Sequence, residues 1–168
     1  MSSILSRIPQ LPKLAKEQKK SNKKFFQKLT KQKPKNLDTT VHQLHDQTFE
    51  KIDCLNCANC CKTTSPIFTD RDVTRISKHF KMRPANFVDK YLHIDEDGDY
   101  VLNIAPCPFL GEDNHCSIYE VAPRACREYP HTDRKQFHKI LNLTLKNTEI
   151  CPAVFEIVQQ LKNVPNLT

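Results

Sequence analysis

A chain of 168 residues with 38% hydrophobic residues, two glycines and no tryptophan has sequence for about one domain and one modest core, so a staple is expected, and eight cysteines can supply it. No run of 18 apolar residues occurs, which excludes a membrane-spanning helix, and the N-terminus lacks the apolar stretch and cleavage site of a secretory signal. The net charge of +7 is uneven: residues 1–37 carry 11 Lys and Arg against one acid, a net of +10, whereas residues 38–168 carry 15 against 18, a net of −3.

The Lys- and Gln-rich residues 1–37 place Leu11, Leu14, Phe25 and Leu29 on a thin helical stripe. "KEQKKSNKK" interrupts it and Pro9, Pro12 and Pro34 bracket it. The segment reads as a basic arm, mobile or weakly helical. Its charge leaves nucleic acid or an acidic surface open as partners, but without aromatic interleaving or a nucleic-acid module plain solvation is favoured. Asp38 is placed to cap a helix carrying Val41, Leu44, Thr48 and Ile52. In "TDRDVTRISKHF", Thr69 and Asp72 stand at capping-box distance, with Val73, Ile76 and Phe80 on one face. Pro84 opens a short helix with Phe87, Val88 and Tyr91. Asp97-Gly98 signals a hairpin between residues 92–95 and 100–104, and a second is expected around "LGEDNHCSIY". Pro123 starts a turn bearing Cys126, and Val154, Ile157, Val158 and Leu161 define a C-terminal helix just after Cys151. The expected fold is α+β: one small domain over residues 38–168, of short helices and one or two β-hairpins organised around cysteine-ligated metal, behind the arm.

The cysteines are Cys54, Cys57, Cys60, Cys61, Cys107, Cys116, Cys126 and Cys151. Four thiolates complete a tetrahedral zinc site or an iron–sulfur cluster, and eight complete two. A C-x-x-C step needs only a tight turn to bring both sulfurs to one metal. Two overlapping steps, an adjacent fourth thiol and four more downstream make all eight candidate ligands. A reducing cytosolic setting, in which clustered thiols read as metal-binding, is expected over a secreted disulfide framework. Cys107 and Cys151 each precede a proline that stiffens the chain leaving the ligand. Zinc and iron both stay open. A four-thiolate site carries about two net negative charges, for which Lys62, Arg124 and Arg127, beside ligand cysteines in sequence, are the candidate counter-charges. His115 and His131 are placed as alternative ligands, and His42 and His45 as surface residues of a helix. Cys60 and Cys61 are expected to serve different metal centres, or different irons of one larger assembly, because neighbouring side chains in extended backbone point to opposite faces.

"CLNCANCC", "CPFLGEDNHCSIYEVAPRACREYP" and the closing "CP" resemble the YkgJ-type cysteine-cluster family, a zinc- or iron-chelating domain with a CxxCxxCC signature. The resemblance covers about residues 52–160 and all eight cysteines, and leaves the basic arm outside. It implies metal binding and a bacterial cytosolic setting, but no known reaction. Some flagellin lysine methylases resemble the domain. With only Gly98 and Gly111 and no glycine-rich nucleotide loop, this chain is not expected to hold a methyl donor. The first functional reading is a non-enzymatic metal-binding protein for structure, storage or delivery. The alternatives are an iron–sulfur redox or methyl-transfer enzyme, and a zinc-stapled nucleic-acid binder that uses the arm. Glu112, Asp113, Tyr119, Glu120 and Glu128 read as surface or packing residues, and no catalytic residue is identified.

Overall fold

The computed structural model of the chain describes residues 4–165 and 167. A 3-10 turn (Ile4–Gln10) leads into α1 (Leu11–Gln32), α2 (Leu37–Phe49) and two short helical turns, α3 (Cys54–Cys57) and α4 (Asn59–Thr63). Then come α5 (Asp70–His79), α6 (Pro84–Tyr91), strands β1 (Leu92–Ile94) and β2 (Tyr100–Leu102), and α7 (Arg124–Glu128), α8 (Leu141–Asn147) and α9 (Pro152–Leu161). Among the described residues the chain is mostly helical with one two-stranded antiparallel sheet, an α+β composition. It divides into two compact units, Met1–Cys57 with Pro130–Thr168 and Ala58–Tyr129, where the sequence suggested an arm and a single domain.

In the first unit, most of the expected arm is the 22-residue helix α1. Pro12 lies in the first helical turn, where its missing N–H is one the helix leaves unbonded anyway, so it starts the helix instead of breaking it. Ala15 and Phe26 widen the stripe read from the sequence. Leu11 and Leu29 are 1% and 0% exposed, and Phe25, Phe26 and Leu29 share a core with Val41, Phe137 and Val154. Lys33 ends the helix in the left-handed region (φ 46°) and donates its N–H to the Leu29 carbonyl at 2.9 Å. Asp38 does not cap α2, which starts after Asn36 with no side-chain cap. Its carboxylate instead accepts the backbone N–H groups of Gln136 (2.6 Å) and Phe137 (3.0 Å), pinning a loop almost a hundred positions away. Helix α9 begins at Pro152 and buries Val154, Ile157, Val158 and Leu161, as their spacing predicts.

In the second unit, Thr69 and Asp72 form the expected capping box at the start of α5, and Val73 and Ile76 turn into the core. The hairpin pairs Leu92 with Leu102 and Ile94 with Tyr100, around Gly98 at φ 85°. The second hairpin is reduced to a single bridge between Leu110 and Cys116. Phe80, Phe87, Tyr91 and Phe109 form a ring cluster with neighbouring centroids 5.1–6.4 Å apart. Cys107 and Cys116 pack against this core, so the unit's apolar interior and two of its thiols share one surface.

Leu29→Ala leaves a cavity in the core of the first unit, and urea unfolding is expected to show a loss of about 2–5 kcal/mol. The same change in a solvated arm would stay within about 0.5 kcal/mol.

Candidate metal centre

The Cys54–Cys57 step is a single helical turn set by Asp53. The Asp53 carboxylate accepts the Leu55 N–H at 2.9 Å and the Asn56 side-chain amide at 3.2 Å, and its carbonyl accepts the Asn56 N–H at 3.1 Å. Cys151 belongs to the same unit, at the N-terminus of α9, and donates its own N–H to the Asn147 carbonyl at 2.8 Å. Burial pushes the Cys151 thiol up to about 12. Backbone N–H groups of Val154 and Ala153 hydrogen-bond its sulfur and work the other way, while the charges of Cys54 and Cys57 raise it further. The first unit thus holds three thiols, of which Cys151 lies within reach of the charges of the other two.

Five thiols belong to the second unit. Ala58, buried at 6% exposure, takes the left-handed conformation (φ 47°) and lets the chain enter α4, where its carbonyl accepts the Lys62 N–H at 3.0 Å. Cys60 and Cys61 are therefore helical neighbours, about 100° apart around the axis, and not extended ones on opposite faces. Their sulfurs are 4.0 Å apart, which removes the geometric basis for sending them to different centres. Cys61 is drawn down to about 7, chiefly by the hydrogen bond from the Cys60 thiol, against burial and with help from the charge of Lys62.

The other three thiols gather around Cys61. Cys107 donates its N–H to the Cys61 carbonyl at 2.8 Å. Its thiol is raised by burial and by the charges of Cys61 and Cys116, and lowered by the N–H groups of Phe109 and Leu110. Cys116 is raised by burial and by Cys61, and lowered by the N–H of Ile118. Residue Cys126 keeps an exposed surface, yet desolvation around its sulfur is the leading cause of a rise to about 12, followed by the charges of Cys61, Cys107 and Cys116. Every pair among Cys61, Cys107, Cys116 and Cys126 is thus electrostatically linked. Bare thiolates so placed repel, and a bound cation would relieve the repulsion. Among the described residues, no three His, Cys, Asp or Glu side chains already stand in ligand geometry, and none of the eight cysteines forms a disulfide.

The loop from Cys107 to Cys116 closes on Gly111, whose N–H donates to the His115 carbonyl at 2.8 Å. A Cβ there would sit 2.7 Å from Asp113 Oδ1 and 3.3 Å from that same carbonyl, so a larger residue would displace the exposed Asp113 side chain and press slightly on the turn. Of the expected counter-charges, Lys62 acts on Cys61, whereas the Arg124 guanidinium pairs with Glu128 one turn along α7. Arg127 is exposed in the last turn of α7 and forms no ion pair among the described residues. His115 pairs with Asp113 at 3.3 Å. His42 Nε2 lies 3.1 Å from the Arg134 carbonyl, and His45 Nδ1 lies 2.7 Å from Thr132 Oγ1. Glu112, Asp113, Tyr119, Glu120 and Glu128 are all exposed.

The residue that sequence reasoning placed only as a helix cap is Asp72. Its side chain is 2% exposed, and its carboxylate accepts the Thr69 hydroxyl (2.6 Å) and N–H (3.0 Å), the Arg75 guanidinium (2.6 Å) and the Arg124 N–H (3.2 Å). Arg75 continues to the carbonyls of Val121 (3.3 Å) and Ala122 (2.8 Å). The pair fastens α5 to the turn that presents Cys126. Burial works to raise the Asp72 carboxyl, but the hydrogen bonds from Thr69, Arg75 and Arg124 outweigh it and hold the group below its usual range.

A family model described as "CxxCxxCC: Putative zinc- or iron-chelating domain" matches residues 53–152, a span that takes in all eight cysteines. No curated protein and no solved structure matches the chain.

A carboxyl depressed in the folded state stabilises above its unfolded pKa, and that contribution is lost as pH falls through the folded value. Asp72→Asn is expected to cost about 1–3 kcal/mol at neutral pH. It should also flatten the decline in stability below about pH 4. Urea midpoints measured across acidic pH check both.

Proposed function

Because the chain belongs to the CxxCxxCC family of zinc- or iron-chelating domains, we propose that it is a metal-binding protein whose eight cysteines hold zinc or iron for structure, storage or delivery in a reducing compartment. The observation that carries this reading is the gathering of thiols at Cys61: its sulfur stands 4.0 Å from that of Cys60, its carbonyl accepts the Cys107 N–H at 2.8 Å, and its charge bears on Cys107, Cys116 and Cys126 from separate stretches of the second unit. Four thiolates are what a tetrahedral zinc ion or a four-cysteine cluster takes. Cys60 is an adjacent fifth donor: two sulfurs on one tetrahedral ion stand about 3.8 Å apart, against 4.0 Å for Cys60 and Cys61. Cys54, Cys57 and Cys151 form the second set, in the first unit.

The arrangement is half-prepared. Backbone N–H groups already point at Cys107, Cys116 and Cys151, as they would toward sulfurs carrying negative charge. The protons held by the raised thiols leave when a metal takes their place, so binding couples to proton release. A cluster would add redox capacity to the same ligands, whereas zinc would leave them a structural or carrier role.

Protein purified without oxygen is expected to carry zinc or iron in stoichiometric amount by elemental analysis, with absorption near about 400 nm if the iron is in a sulfide cluster. Cys61→Ser is expected to lower the metal-to-protein ratio through the second unit and Cys151→Ser through the first, so the double variant loses more than either. Removal of metal by a strong chelator should unfold chain detected by circular dichroism, since binding energy in structural sites is folding energy, about 10 kcal/mol each. Full-ratio metal in both single variants would defeat the reading.

A further inference from the structure

The lysines of α1 are not used by chelation, and the helix arranges them. At about 100° per residue, Lys13, Lys20, Lys24 and Lys31 fall within about 20° of one line along the helix, flanked by Lys16 and Lys28. All six are exposed. The buried residues Leu11, Ala15, Asn22 and Leu29 lie along the opposite line. The basic row is therefore fixed outward by the packing of the other face, and it extends about 27 Å from Lys13 to Lys31. Two neighbouring cations are already spent inside the first unit: Lys19 on Glu149 at 3.1 Å and Arg7 on Glu156 at 3.2 Å. Among the described residues, none of the six row lysines is in an ion pair. Glu17, the one acid on the helix, falls about 40° from that line, within the arc of the row, and leaves the six lysines a net of five positive charges.

We propose that this row is a binding surface for the phosphate backbone of duplex nucleic acid. A ridge with about one lysine every 5 Å fits an extended polyanion, and a duplex offers one charge about every 1.7 Å of its axis. The row does not converge on a pocket, which sets aside a small anion. Membrane-binding helices insert an apolar face, and the apolar face of α1 is already in the core of the first unit. Lysines as point charges, with no arginine or exposed aromatic on the helix, read charge and not base identity, so binding is indifferent to sequence. The proposal uses no cysteine and stands apart from metal chelation.

Fluorescence anisotropy of the full chain, with its metal as purified, against a labelled duplex of about 20 base pairs at about 50–200 mM salt provides the test. With three to five phosphates neutralised, log K is expected to fall against log salt with a slope of about −3 to −5. Lys20→Glu/Lys24→Glu, outward-facing and therefore folded by circular dichroism, should bind at least about tenfold more weakly and flatten the slope by about two. Lys78→Glu/Lys90→Glu, with exposed positions in the second unit, should change neither. No binding at low salt, a slope shallower than about −1, equal losses in both double variants, or tighter binding to phosphatidylserine vesicles than to the duplex would each overturn the proposal.

Discussion

Thiolate charge gathered in a half-buried space would repel itself, and that constraint acts on four cysteines of the second unit. Each member of the group Cys61, Cys107, Cys116 and Cys126 raises the cost of ionising another, and desolvation adds to it, so that Cys126 reaches about 12. A cation bound among them would convert that mutual repulsion into shared attraction. The surroundings fit that account: the ring cluster backs Cys107 and Cys116, and the Asp72–Arg75 pair holds the turn before Cys126.

Signals confined to a few consecutive residues were legible in the sequence. The Thr69–Asp72 box, the Asp97-Gly98 turn, the helix opened by Pro84 and the apolar spacing of α9 all depend on neighbours within one or two turns, and each formed where expected. The cysteine spacing marked eight candidate ligands, all within the span of the matched family model. What could not be read was which thiols influence one another: the charge of Cys61 reaches Cys126 through packing that no local pattern encodes. Asp72 was visible as a cap, but its bond to the Arg124 N–H, fifty-two positions away, was not. Asp38 was taken for a cap because the residue type and position suit one, yet the donors it meets lie in a distant loop.

Helix α1 shows a different kind of failure. Its composition averages to strongly basic, and averaging hides the fact that the charges occupy one side. Asn22 sits in the buried stripe and lowers its apparent hydrophobicity, although Lys162 Nζ donates to its side-chain carbonyl at 3.0 Å. Arg124 taught the same lesson on a smaller scale. Its proximity to Cys126 in sequence suggested a counter-charge to sulfur, but a carboxylate four residues along the same helix reached it first.

The first unit is assembled from two stretches separated by the whole of the second, Met1–Cys57 and Pro130–Thr168. During synthesis, α1 and α2 leave the ribosome long before the α9 residues that share their core exist. Until then the apolar side of α1 lacks the Phe137, Leu141 and α9 side chains of its core, while some seventy intervening residues are added. Residues 58–129 can collapse around their aromatic cluster in that interval, and all five of their cysteines are present before Cys151 is made. The order of translation therefore completes the thiols of the second unit, and the pair Cys54 and Cys57, before the third cysteine of the first unit exists.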